Sequence, residues 1–214
     1  MPIEIELKAW VEDPAGVTAR IAAFAGESGN HEKNDAYWLP LADFPAPGKP
    51  AEQRPRGKFG SGIRIRWETE SGEQDRGAGV PATETALPDR AIINFKQKEV
   101  RDGIEVNDER EFTVEGVAQF EALLDRLGFA LHIRKRKTGK AWTFDGITIE
   151  LSEIDGLGLF VELEILADTD TPEVVRDARS RLLALLERIG VDPGKIETRY
   201  YTSMLAEKRQ HRGL

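Results

Sequence analysis

The chain contains no cysteine. Disulfides, thiolate metal sites and cysteine nucleophiles are excluded together, and a reducing compartment fits. Histidine is scarce: His31, His132 and His211 stand singly, with no Ser or carboxylate at a spacing suggestive of a charge relay. They read as structural or solvent-exposed. No apolar run is long enough to span a bilayer, and Met1 and Pro2 lead into a strand pattern without a basic n-region or an apolar h-region. The expectation is a soluble, unexported, cytoplasmic protein. Positive charge is not in excess either, since the formal net charge is -8. That disfavours nucleic acid and anionic membranes as partners. Internal repeats and low-complexity tracts are missing as well.

What the chain does have is charge arranged two apart, one sign per pair: Glu4/Glu6 followed by Lys8, Arg64/Arg66, Lys96/Lys98, Glu109/Glu111, Lys135/Lys137 and Glu162/Glu164. Side chains two apart on a strand share a face. The segments Glu4 to Lys8, Ile63 to Trp67 and Val161 to Ile165 therefore each carry one charged and one apolar face. A single such segment reads as a solvated face. Six are different, because like charges side by side repel unless something of opposite sign lies between them.

Strands are expected over residues 3–11, 35–39, 63–68, 91–98, 105–113, 130–137, 141–144, 147–151 and 159–166. Asp13-Pro14 opens a helix through Val17, Ile21 and Phe24 that stops near Gly26. Val117, Phe120, Leu123, Leu124 and Leu127 have helical spacing closed by Gly128, and Thr171-Pro172 opens a long helix closed by Gly190. A last helix spans about 199–209. Pro- and Gly-rich stretches at about 41–61 and 70–89 read as flexible loops. The 214 residues, 40% apolar, suffice for one domain covering 1–214. The predicted fold class is α+β: an antiparallel β-barrel with helices packed outside it.

In a barrel the apolar strand faces match the amphipathic helices, and the charged faces point inward. An isolated ion in a dry interior is prohibitively costly, so such a lumen must be a wide, wet tunnel occupied by counter-charges. The basic residues suit several phosphates. The glutamates form an all-oxygen wall suited to a hard divalent ion, Mg²⁺ or Mn²⁺. The tetrad Arg134-Lys135-Arg136-Lys137 permits either parity, and strand alternation selects the odd positions. Gly156-Leu157-Gly158 lacks a following Gly-Lys-Ser/Thr and reads as a tight turn.

Glu4-Ile5-Glu6-Leu7-Lys8 resembles the E-x-E-x-K signature of the CYTH family, the triphosphate tunnel metalloenzymes that include class IV adenylyl cyclases and thiamine and inorganic triphosphatases. The resemblance continues in order through Asp35 and Tyr37, Arg64-Ile65-Arg66, Phe95-Lys96, Glu109 with Glu111, the basic cluster at Lys135, Gly156 to Glu164, and Tyr200 or Tyr201. It implies an eight-stranded antiparallel tunnel binding a triphosphate and one or two metals. By position it implies Glu4, Glu6, Glu109, Glu162 and Glu164 as metal ligands. Lys8, Arg64, Arg66, Lys96, Lys98, Lys135 and Lys137 would bind the triphosphate, with Lys8, Glu111 and Glu150 catalytic. Ser152 departs from the Asp usual at that position, and Glu150, of the same parity, is the candidate to compensate.

The expected activity is metal-dependent hydrolysis of the terminal phosphate of ATP, thiamine triphosphate or inorganic triphosphate. The alternative is cyclisation of ATP to cyclic AMP and pyrophosphate, and a further one is a triphosphate sensor without turnover. A homodimer is left open.

Overall fold

The computed structural model describes residues 3–41, 62–71 and 88–211. The expected loops at 41–61 and 70–89 lie almost wholly outside the described residues. Eight strands, β1 (Ile3–Trp10), β2 (Gly26–Pro40), β3 (Ile63–Ser71), β4 (Arg90–Arg101), β5 (Ile104–Glu115), β6 (Phe129–Phe144), β7 (Ile147–Ile154) and β8 (Gly158–Ala167), close into a ring in the order β1-β5-β4-β3-β2-β6-β7-β8. All neighbouring strands are antiparallel. The helices α1 (Pro14–Ala22), α2 (Val117–Arg126), α3 (Pro172–Arg188) and α4 (Tyr201–His211) lie outside the sheet or at its end.

Local chemistry accounts for the joints. Asp13 caps α1 by accepting from Gly16 N at 2.9 Å, with Pro14 in the first turn. Asp102-Gly103 and Asp145-Gly146 make the β4–β5 and β6–β7 turns, and all four residues have positive φ. That is the two-residue hairpin geometry for which Asp-Gly is suited.

Three apolar clusters fix the ring to its helices. Ile5, Leu7 and Ala9 of β1, with Ile147 and Ile149 of β7 and Val161 and Leu163 of β8, pack against Val17 and Ile21 of α1 and Leu182, Leu185 and Leu186 of α3. Ala36, Ile65, Trp67 and Ile93 pack against Val117 and Leu124 of α2. Each of these strands buries its apolar parity outward, so the opposite parity faces the bore. The third cluster joins Ile154 and Phe160 to Tyr201 and Met204 of α4, with Trp10 against it.

The observed elements depart from the sequence reading in two strands. β2 begins at Gly26 rather than Asp35, and β6 is one strand rather than two. Residues 26–30 of β2 are mostly exposed, so no apolar alternation marks them. In β6 the expected strands join through Gly139, where a Cβ would lie 2.2 Å from Leu151 O.

Candidate active site

Strand alternation delivers charge to the bore from every side. Glu4, Glu6 and Lys8 come from β1, Lys33 and Tyr37 from β2, Arg64, Arg66 and Glu68 from β3, and Lys96 from β4. Glu105, Glu109 and Glu111 come from β5, Lys135 and Lys137 from β6, Glu150 from β7, and Glu162 and Glu164 from β8; Tyr200, Tyr201 and Thr202 at the head of α4 complete the polar lining. The cavity measures about 300 Å³, at the small end for ligand sites. Nine carboxylates face seven cations across it, so the lining is formally negative.

The odd positions of the basic tetrad, Lys135 and Lys137, are buried in this lining, whereas Arg136 lies outside and pairs with Glu32 at 3.0 Å. Lys98 stands on β4 opposite Asn107, but its side chain falls outside the described residues.

The cations are held in place by carboxylates. Asp35, whose side chain is 0% exposed, accepts from Arg66 Nε at 2.7 Å and Nη2 at 3.0 Å and pairs with Lys135 at 3.0 Å. Burial alone would raise the Asp35 carboxyl, yet Arg66 and Lys135 hold it well below the usual carboxylate range. Arg64 pairs with Glu109 at 2.9 Å and reaches Glu111 at 3.7 Å. Lys96 bridges Glu4 and Glu109, and Lys8 is bonded to Glu105. Lys33 joins Glu150 at 2.6 Å and Glu68 at 3.3 Å, and Lys137 joins Glu150 at 2.5 Å and also Glu162. Burial opposes the Glu150 carboxylate, but Lys137 and Lys33 outweigh it and hold its pKa well below the ordinary value.

One corner differs. Glu4, Glu6 and Glu164 each bring a carboxylate oxygen within 4.8 Å of the others. Lys96 serves Glu4, but among the described residues no ion pair holds Glu6 or Glu164. Burial, with Glu4 and Glu6 adding to it, pushes the Glu164 carboxyl up to about 8. Lys96 opposes the shift and is outweighed. An all-oxygen donor set of this kind fits a hard divalent cation.

Of the five expected metal ligands, the structure thus gathers Glu4, Glu6 and Glu164. Glu109 and Glu162 also line the bore, but their nearest partners are Lys96 with Arg64, and Lys137. Glu111 is half exposed, accepting from Asn94 Nδ2 at 3.0 Å. Ser152 is 1% exposed, and its hydroxyl meets Nε2 of a buried His31 at 3.0 Å. Burial lowers the His31 pKa to about 4.

Sequence reasoning left out Lys33, Glu68 and Glu105. Each has the parity of a residue already singled out: Lys33 that of Asp35, Glu68 that of Arg66, and Glu105 that of Glu109 and Glu111. Extending the alternation by one step reaches Lys33 and Glu68, and by two steps, past Asn107, reaches Glu105.

Residues 2–201 match the CYTH domain model, and the chain belongs to that family. Among solved structures, the PH1819 protein of Pyrococcus horikoshii is 24% identical with a TM-score of 0.71, covering 96% of this chain and 99% of its own. An adenylate cyclase candidate from Vibrio parahaemolyticus is 17% identical with a TM-score of 0.62, covering 95% and 98%. HpAC1 of Hippeastrum, an adenylyl cyclase candidate with a dominant triphosphatase activity, is 18% identical with a TM-score of 0.56, covering 93% and 91%. These likenesses show the fold. None of the curated proteins compared matches the chain.

Proposed function

We propose that the protein is a divalent-metal-dependent triphosphatase that takes a small-molecule triphosphate into the bore and hydrolyses its terminal phosphate. The observation that carries this reading is a carboxylate corner, Glu4, Glu6 and Glu164, opening on the same small cavity as Arg64, Arg66, Lys96, Lys135 and Lys137. A net-negative lining would repel a polyphosphate that entered without a cation. The cofactor in this reading is Mg²⁺ or Mn²⁺, held by Glu4, Glu6 and Glu164. An ion held there would offset the repulsion between the carboxylates and the phosphates and would supply Lewis-acid activation of an attacking water.

The chain's own residues then position the substrate. Arg66, fixed by Asp35, presents its guanidinium to phosphate oxygens, and Arg64 and Lys96, fixed by Glu109, present theirs. Lys8, Lys135 and Lys137 supply charge deeper in the bore. Glu150 is too strongly held as the carboxylate to take a proton at neutral pH, so its role is to hold Lys33 and Lys137 in place. Glu111, half exposed, is the carboxylate placed to accept a proton. The whole chain is read as one cytoplasmic domain. Among the described residues no helix is long and apolar enough to cross a membrane.

Cyclisation of ATP would use the same walls. The test is incubation with Mg²⁺ or Mn²⁺ and inorganic triphosphate, thiamine triphosphate or ATP, with products identified by ³¹P NMR. Orthophosphate release is expected. Pyrophosphate together with cyclic AMP would establish the cyclase instead, and tight binding with no turnover on any substrate would establish a sensor.

A further inference from the structure

At one end of the ring β7, β8 and β1 carry apolar side chains. There Ile154 and Phe160, with Trp10 beside them, meet Tyr201 and Met204 of α4. Tyr201 is the odd member of this floor. Its ring stands edge-on to Phe160 with centroids 4.9 Å apart, as packing alone would have it. Its hydroxyl, however, is buried with no hydrogen-bond partner among the described residues, although the residue is only 8% exposed. Buried hydroxyls are normally satisfied, so an orphan calls for a missing partner.

The surroundings indicate what that partner is. Lys135 Nζ lies 5.1 Å and Lys8 Nζ 5.5 Å from the ring centroid. The polar groups that act on the phenol are Glu6, Glu105, Glu150 and Tyr37. These belong to β1, β5, β7 and β2, and all four line the same cavity as Tyr201. Burial and those carboxylates hold its pKa well above the ordinary phenol value, which keeps the proton on the oxygen. The group is therefore an unpartnered donor on a residue that lines the bore, with two cations near its ring.

Resting on the triphosphatase reading, we infer that the Tyr201 hydroxyl donates to an oxygen of the innermost phosphoryl group, with Lys8 and Lys135 on either side, and that α4 is an end stop restricting the substrate to short polyphosphates. The missing partner is a phosphate oxygen. A chain one phosphate longer would have to displace the Phe160–Tyr201–Met204 floor.

Calorimetric titration with inorganic triphosphate and tetraphosphate in the presence of Mg²⁺, on the wild type and on Tyr201→Phe, tests this. Phenylalanine keeps the ring and its packing, so thermal stability should be unchanged. The wild type should bind triphosphate at least tenfold more tightly than tetraphosphate, and Tyr201→Phe should bind triphosphate about tenfold more weakly, the usual scale for a lost hydrogen bond to a charged group. Affinity for Mg²⁺ alone should not change. Equal triphosphate affinity in variant and wild type would overturn the inference while leaving the triphosphatase reading intact. Equal wild-type affinity for the two chain lengths would overturn the end stop without any variant. A wild type that binds neither would sink the triphosphatase reading and this inference together.

Discussion

Two acidic rungs of the bore have the same construction and opposite outcomes. Glu150 faces Glu162 across β7 and β8, and Glu6 faces Glu164 across β1 and β8. Like charges directly opposite on neighbouring strands are destabilising. At the first rung Lys137 reaches both carboxylates and Lys33 reaches Glu150, so the repulsion is offset within the protein. At the second no lysine forms an ion pair among the described residues, and burial with the neighbouring carboxylates outweighs Lys96 and pushes the Glu164 carboxyl up to about 8. The first rung is a finished ion-pair network. The second is left without such a network, and on the proposed reading a bound cation completes it.

The largest effect expected from breaking this contrast is at the satisfied rung. Lys137→Met leaves Glu150 and Glu162 facing each other half-buried, and should destabilise the fold by about 3–5 kcal/mol, the scale for removing one partner of a buried pair. Chemical denaturation would measure it, and a loss below about 1 kcal/mol would show the two rungs to be equivalent.

The opposite change at the other rung, Glu164→Gln, should stabilise the metal-free protein and abolish its response to cation. Wild type at a hundredfold excess over Kd gains about 2.7 kcal/mol from the ion, and the variant should gain none. The same corner sets a pH dependence. The folded pKa of Glu164, about 8, exceeds the ordinary 4.5, so between these values the folded state binds more protons than the unfolded. Stability in chelator should fall as pH rises through that window, and Mg²⁺ should remove the slope. A flat profile in chelator would mean the carboxylates are better solvated than their crowding implies.

The smallest effect runs the other way. His31 has a folded pKa of about 4, below its ordinary 6.5, so the unfolded state takes up the proton first. Acidification from pH 6.5 to 4 should therefore cost about 2 kcal/mol, and His31→Gln should remove that part of the slope. Identical acid titrations of variant and wild type would place His31 in contact with water.

The contrast also marks what was legible in the sequence. Strands packed under helices, such as β1, β3 and β8, advertise both faces: Ile5 and Leu7, or Val161 and Leu163, are apolar because α1 and α3 cover them, and the charges between them point inward. The parity of Lys135 and Lys137 could be chosen from alternation for the same reason. β2 hid its first half because residues 26–30 are polar on the uncovered side as well, so Lys33 went unnoticed although it shares a face with Asp35. Which carboxylates would be left without a cation was not legible at all. Glu109, Glu162 and Glu164 look alike along the chain, and only the cross-strand register brings Lys96 to the first and Lys137 to the second.

The place of β1 in the ring has a consequence for biosynthesis. It is made before the other seven strands of the ring, yet its two neighbours, β5 and β8, follow roughly one hundred and one hundred and sixty residues later. Until β8 emerges, the nascent sheet is an open ribbon with Glu4 and Glu6 on a waiting strand and Glu164 not yet translated. The Glu4, Glu6 and Glu164 corner thus comes into being only when the seam is sealed, so on the proposed reading uptake of a divalent ion during refolding would serve as a clock for the last step of assembly.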